Sequence, residues 1–298
     1  MDGILNINKT AGMTSYKVVA AVKRFSGQRR VGHAGTLDPD ATGVLPVCVG
    51  KATRVVEFFM NAAKVYAAEI ELGACTDTYD AAGTVTSRGD ASFLTREAVE
   101  AALEAFRGEI EQIPPMYSAL KYQGRPLYDL AREGVTVERA SRTVTVHRLE
   151  LMAWDSPLLK IEVECSKGTY IRSLAHDLGQ ALGCGAHLKT LARTRYGEFD
   201  ISNAVSLEQV REAASDGKLE TLLAPIDTAL GGMTKVEVDE TEAAMLKEGK
   251  ILPRELPEET TAGPFHRYRR AYDQQGTFIA ILYRDKEASL WRPRKVFI

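Results

Sequence analysis

Cysteine is scarce and scattered in this 298-residue chain: Cys48, Cys75, Cys165 and Cys184 form no CxxC pair. That spacing argues against a disulfide scaffold and a structural zinc site, and it predicts reduced thiols. Long apolar runs are missing too, since none approaches the roughly 18 residues of a membrane span. The opening segment, MDGILNINKT, lacks the basic start and apolar stretch of a secretory signal, so a cytoplasmic location is expected. Internal repeats and low-complexity segments are absent. So are several chemistry-bearing motifs. GKAT at 50–53 fails as a phosphate-binding loop, because Leu45 stands where the first glycine belongs and Ala52 follows the lysine. No GxGxxG joins a strand to a helix, which leaves dinucleotide binding unsupported. HExxH and GxSxG do not occur. His176-Asp177 resembles the doublet of metal-dependent phosphohydrolases, but the other ligands are missing and a helical surface pair accounts for it. Neither a metal nor a cofactor is expected.

An excess of positive charge is also lacking, with 38 Lys/Arg against 40 Asp/Glu. The total of −2 argues against a nucleic-acid partner, and the distribution argues for one. Residues 1–60 carry eight Lys/Arg against four Asp/Glu, residues 121–148 six against three, and residues 263–298 eight against three. Residues 205–262 carry six against thirteen, so one acidic segment masks three basic ones. Polyanion binding needs a local patch and not a basic total. Charge alone leaves three solvated surfaces as an equal explanation.

An apolar content of 45% with 26% charged residues is that of a globular chain long enough for a sizeable core. ILNINK reads as a strand. Thr14-Ser15 caps a helix through Tyr16, Val18, Val19, Val22 and Phe25. VLPVCVG and KVYAAEIEL read as strands, the second alternating. Thr95 caps a helix over TREAVEAALEAFRG, closed by Gly108. PPMYSALKYQGRPLYDLAREG mixes tyrosines with basic residues and holds a short helix at 126–133. RTVTVHRLEL and LLKIEVECS are strands, and TYIRSLAHDLGQALG turns helical, which puts Tyr170 and Arg172 at a strand-to-helix junction of the kind that favours active sites. A boundary falls within LGGMTK, at residues 232/233. The final segment, with TFIAILYR and ASLWRPRKVFI, is β-rich.

The densest stretch is GHAGTLDPDATG, residues 32–43. Pro39 biases Asp38 toward extended backbone, and Gly32, Gly35 and Gly43 remove side chains, so that a bulky ligand can approach. His33 and Thr36 add polar groups. A carboxylate in such a loop can serve as nucleophile or general base, provided a neighbouring cation keeps it ionised. By itself the stretch is equally a well-made turn.

GHAGTLDPDATGVLPVCVGKATR closely resembles the signature of the TruB family of tRNA pseudouridine synthases. KVYAAEIELGACTDTYDAAG, CSKGTYIRSLAHDLG and HLKTLARTRYGEF are similar to further family segments in the same order, so the resemblance covers about residues 1–200. PPMYSALKYQGRPLYDLAREG resembles the family's mobile RNA-gripping insertion, and the tail resembles, more weakly, a small RNA-binding PUA domain. The resemblance implies a catalytic Asp38, a base-stacking Tyr66 implicated in proton removal, and an Arg172 that pairs with the aspartate. It further implies substrate contacts by His33, Tyr170, Leu191, Lys9, Gly35 and Thr36. By residue type alone, Tyr66 and Leu191 are equally packing residues. Lys9-Thr10 departs from the family's Lys-Pro, which puts only the local backbone shape in doubt.

The expected protein is α/β (α+β): a pseudouridine synthase fold with a mixed, largely antiparallel sheet over residues 1–232, an insertion at about 116–145, and a PUA-like RNA-binding domain over 233–298. The expected reaction converts the T-loop uridine 55 of tRNA to pseudouridine by base flipping and covalent aspartate catalysis. The expected partner is the tRNA T-arm stem-loop, with no membrane and no required protein partner, and the chain is expected to be a monomer. Two other readings remain: a tRNA-binding or folding-assisting protein with secondary catalysis, and a guide-RNA-dependent synthase, which the compact length disfavours.

Overall fold

The computed structural model describes residues 1–252, 254–256, 265–285 and 290–297. The chain opens with β1 (Gly3–Lys9) and α1 (Ser15–Ser26), which Thr14 caps by accepting from the Lys17 amide and Gly27 ends at φ 64°. β2 (Val31–His33), an open loop and β3 (Thr42–Val49) follow, then α2 (Val56–Phe59) and β4 (Lys64–Leu72). β5 (Ala74–Thr76) and β6 (Val85–Arg88) make a hairpin. α3 (Arg96–Glu104) is capped by Thr95, and Gly108, expected to close it, instead begins β7 (Gly108–Gln112). The helix stops earlier because Ala105 and Phe106 already bond back in tight turns to Ala102 and Leu103.

The excursion from the sheet holds β8 (Lys121–Tyr122), β9 (Arg125–Pro126) and α4 (Leu127–Arg132). It packs about a small core of its own, Met116, Leu127 and Leu130. The chain is back in the sheet at β10 (Arg142–Asp155), whose first residues, Arg142 to Val146, pair with β7. β11 (Leu158–Cys165), α5 (Ile171–Ala181), β12 (Ala186–Tyr196), β13 (Phe199–Asp200), α6 (Leu207–Ser215) and β14 (Leu223–Ala224) complete the large unit.

Its ten strands run β14-β1-β3-β12-β4-β11-β10-β7, with β2 also on β3 and β13 on β12. Every pairing in this sheet is antiparallel except β12 with β3, so the sheet is mixed and largely antiparallel. β3 carries a continuous run, VLPVCV, because both its faces are covered, whereas β1 interrupts its apolar residues with Asn6 and Asn8. Leu5, Ile7, Leu45 and Val47 enter the core under α1 and α5, while Ile4, Val44 and Cys48 enter a second core with Phe58, Phe59 and Tyr196.

A second sheet begins at β15 (Thr234–Glu237), followed by α7 (Glu240–Lys247), β16 (Tyr268–Tyr272), β17 (Phe278–Arg284) and β18 (Trp291–Val296). Its strands run β15-β16-β17-β18. Ala288, Ser289 and Ile298 of the expected strand ASLWRPRKVFI lie outside the described residues. Ile279, Ala280 and Leu282 fill the core of this unit with Trp291, and Ile281 joins the second core of the large unit. Among the described residues no helix is long and apolar enough to cross a membrane.

Candidate active site

One transverse row of the large sheet underlies the site. Lys9 on β1 faces Gly43 on β3, Gly43 faces Arg193 on β12, and Arg193 faces Tyr66 on β4. The loop 34–41 leaves β2 and returns at the head of β3, which sets Asp38 beside this row. Ser15 at the start of α1 fixes the loop: its hydroxyl accepts from the Leu37 amide at 2.9 Å and donates to the Leu37 carbonyl at 3.0 Å. Lys9 does the same from the strand side. Its ammonium donates to the carbonyls of Thr10, Met13 and Pro39 at 2.8–3.0 Å, and burial brings it down to about 8. With all three hydrogens on carbonyls, Lys9 supports the loop from beneath and is 1% exposed.

Arg172 lies in the first turn of α5, is 6% exposed, and places Nε 3.0 Å from Asp38 Oδ2. Its Nη1 is 3.5 Å from Asp80 Oδ2 and donates to the Thr78 carbonyl, and its Nη2 donates to the Tyr117 carbonyl at 2.9 Å. A buried guanidinium is thus shared between two carboxylates and two carbonyls, which offsets its loss of hydration. Asp80 is fixed in turn, because its Oδ1 accepts from Thr78 Oγ1 at 2.6 Å and from the Ala82 amide at 3.1 Å. The Asp38 side chain keeps 44% of its surface open. The protein packed around the rest of it pushes its carboxyl above the usual range; Arg172 pulls it down, Asp80 pushes it further up, and Lys9 opposes. The ion pair with Arg172 and the open side of the side chain oppose that rise and favour the carboxylate form.

Tyr66 is 7% exposed, and burial pushes its hydroxyl up while Arg193 acts against that. It is a neutral phenol in the resting protein. Arg193, 1% exposed, donates to the carbonyls of Val44 (2.7 Å) and Gly35 (3.1 Å) and lies over the Tyr196 ring. It forms no ion pair with a carboxylate among the described residues. Leu191 sits two residues before Arg193 on β12, opposite Ala68, and packs half-buried on the main core.

His33 ends β2; its Nδ1 is buried with no hydrogen-bond partner among the described residues, and burial and Arg193 push the ring below its ordinary value. Thr36 is exposed. Tyr170 caps α5 through its backbone: its amide donates to Gln112 Oε1 at 2.7 Å and its carbonyl accepts from Gln112 Nε2 at 3.0 Å. Its ring lies under the Arg142 guanidinium at 4.8 Å.

Two glycines differ from expectation. A Cβ on Gly43 (φ 97°) would lie 2.2 Å from the Arg193 carbonyl oxygen, and one on Gly35 (φ 74°) would lie 3.0 Å from the Tyr196 ring. The space freed at both is used by the protein itself and not held open for a ligand. Gly32 alone faces open space.

Asp80, Arg193, Ser15 and Gln112 do not stand out in the sequence. Asp80 and Arg193 lie inside segments that resemble the family, DTYDAAG and HLKTLARTRYGEF, so a signal for them exists. Nothing local marks Ser15 or Gln112, whose partners are 22 and 58 residues away.

A carboxyl group at an open mouth, a buried arginine that favours its charged form and a neutral tyrosine on the floor suit covalent chemistry on a ring that enters from outside. Comparison with known proteins agrees. Residues 23–171 match the TruB family pseudouridylate synthase N-terminal domain, and residues 172–231 match the tRNA pseudouridylate synthase B C-terminal domain. A protein named tRNA pseudouridine synthase B from Dehalococcoides mccartyi is 47% identical over 100% of this chain and 97% of its own length. One of the same name from Clostridium tetani is 42% identical over 96% of this chain and 97% of its own length. Among solved structures, a Cbf5-Nop10-Gar1 complex aligns with a TM-score of 0.76 at 27% identity, over 99% of this chain and 85% of that chain. On these matches, and with the site they fall upon, the chain belongs to the TruB family of pseudouridylate synthases.

Proposed function

We propose that the protein converts the T-loop uridine 55 of tRNA to pseudouridine, with Asp38 as the covalent catalyst. The observation that carries this reading is the half-open Asp38 carboxylate held 3.0 Å from a buried Arg172. In the reaction the N1–C1′ bond of the uridine breaks, a C5–C1′ bond forms, the hydrogen at C5 leaves to solvent as a proton, and N1 takes up a proton in its place. Attack by the aspartate on the base or on the ribose carbon needs the ionised form in either case, and Arg172 supplies that. The target base is reached by flipping, and Tyr66 with Leu191 offers it a stacking face and an apolar wall. His33, whose buried Nδ1 has no hydrogen-bond partner among the described residues, stands at the loop's entry, where its ring would meet the RNA.

The substrate's backbone has a surface to lie on. Lys17, Lys23, Arg24, Arg29 and Arg30 are exposed on α1 and the turn to β2, and none of them forms an ion pair among the described residues. Most other surface cations do, such as Arg148 with Glu150 and Glu162. Tyr16 on the same helix is 77% exposed. Residues about 116–145 act as the second grip and residues 233–298 as a PUA-like RNA-binding domain. In this reading the enzyme works in the cytoplasm as a monomer, without cofactor, guide RNA or protein partner.

The test is an unmodified tRNA transcript incubated with the protein alone, followed by carbodiimide labelling and reverse transcription. A single new stop at uridine 55 is expected. A stop elsewhere, or one that appears only with added guide RNA, overturns the assignment.

A further inference from the structure

The 77–80 loop grips Arg172 through the Thr78 carbonyl and the Asp80 carboxylate, and Tyr79 stands between these two contacts. Its φ of 66° puts a ring-bearing residue in the left-handed region, which persists only where the surroundings over-determine it. Backbone bonds fix part of the loop: Tyr79 donates to the Thr76 carbonyl and its own carbonyl accepts from the Leu188 amide at 3.0 Å. A glycine would make both bonds without strain. What a glycine would lack is the ring, and the ring lies flat on the His176 imidazole, with centroids 3.9 Å apart and planes 12° apart.

His176 is one helical turn after Arg172 on α5. Its Nδ1 is buried without a hydrogen-bond partner among the described residues, so at that side the imidazole is held by its face. The Tyr79 hydroxyl makes no hydrogen bond among the described residues either, and the aromatic face is again what is used. A guanidinium shared by two carboxylates can turn toward either. Fastening the loop to the helix that bears the guanidinium removes that freedom.

We propose that Tyr79 and His176 are a positioning pair: their stacked rings clamp the 77–80 loop to α5, so that Arg172 keeps Nε on Asp38 while Nη1 stays with Asp80. The pair acts through Arg172 and touches none of the reacting atoms. The effect on turnover rests on the assignment of Asp38 as the reactive carboxylate.

The experiment compares Tyr79→Gly, Tyr79→Phe, His176→Ala and the double variant Tyr79→Gly/His176→Ala. Turnover on a T-arm hairpin is measured beside thermal unfolding. Tyr79→Gly relieves the backbone and removes the stack, so stability and catalysis are expected to part: Tm at or above the wild-type value, kcat down tenfold or more, KM within twofold. Tyr79→Phe retains wild-type kcat, and the double variant is no slower than the slower single one. Unchanged kcat in Tyr79→Gly, an equal loss in Tyr79→Phe, or kcat that falls only in step with Tm overturns the proposal. A readout independent of turnover is the Arg172 Nε–H resonance, expected to be sharp and slowly exchanging in the wild type and broadened in Tyr79→Gly. An unchanged resonance also overturns the clamp. A wild type that is inactive but shows this spectral difference overturns the reaction assignment and supports the clamp.

Discussion

At the scale of single residues, the demand on Asp38 is twofold: it must be reachable and it must be charged. Reach comes from the loop 34–41, and the partial burial that follows favours the neutral acid. Arg172 is the largest opposing pull and Lys9 a smaller one, with Asp80 acting the other way. Arg172→Lys keeps a positive charge but loses the fork that serves Asp38, Asp80 and two carbonyls together. The Asp38 carboxyl then rises further, less of it is ionised at a given pH, and the acid limb of the pH–rate profile moves to higher pH. We expect kcat at neutral pH to fall at least tenfold, about 1.4 kcal/mol of transition-state stabilisation. A profile whose acid limb stays in place would separate Arg172 from the ionisation of Asp38. Asp38, Tyr66 and Arg172 are legible in the sequence because each lies in a dense motif of its own. Their mutual distance is not, since 28 to 134 residues separate them and only the sheet brings them together. The same holds for Asp80 and Arg193, whose roles depend on partners outside their own segments.

At the scale of elements, the site depends on β12 lying between β3 and β4, parallel to the first and antiparallel to the second. The close approach of β12 to β3 requires Gly43. Gly43→Ala adds a Cβ into the Arg193 carbonyl at a φ of 97°, and we expect a loss of about 2 kcal/mol or more. Urea denaturation measures this, and a loss below half of that would show that the strands part without cost. The excursion between β7 and β10 has only its own small core, and Tyr117 at its root reaches Arg172 through a carbonyl. Such a segment is expected to open easily without RNA and to be protected with it. Equal hydrogen exchange in both states would count against a gripping role. Periodicity and caps mark α1, β4 and α5 in the sequence, because those signals are local. Strand order across the sheet carries no local signal, and neither does the early end of α3. α7, in a tail that reads as β-rich, has a cap that is legible in hindsight: Asp239 and Glu242 form a capping box.

At the scale of the whole molecule, a net charge of −2 conceals where the charge lies. The cations of α1 and the turn to β2, which form no ion pair among the described residues, lead into the loop that carries Asp38, and in the proposed function an RNA backbone drawn to them would be delivered to the site. Hairpin affinity is expected to fall linearly with salt on a log–log scale, and replacing both Arg29 and Arg30 by Ala is expected to reduce that slope by about two. A slope identical to the wild type's would place the RNA on another face. The α/β class follows from strand patterning and helical periodicity, and the proposed boundary at residue 232 from the acidic stretch that begins near residue 205. The docking of the second unit through Ile281 does not, because that residue reads as ordinary strand core.

The most direct measurement is tritium release from an unmodified T-arm hairpin labelled at uracil C5, with wild-type protein and Asp38→Asn side by side. Release by the wild type and none by a folded, hairpin-binding Asp38→Asn is the predicted result, since C5 gives up its hydrogen to solvent once the new C5–C1′ bond has formed. Release by both proteins would contradict the role of Asp38, and silence from a wild type that binds the hairpin would contradict the reaction itself.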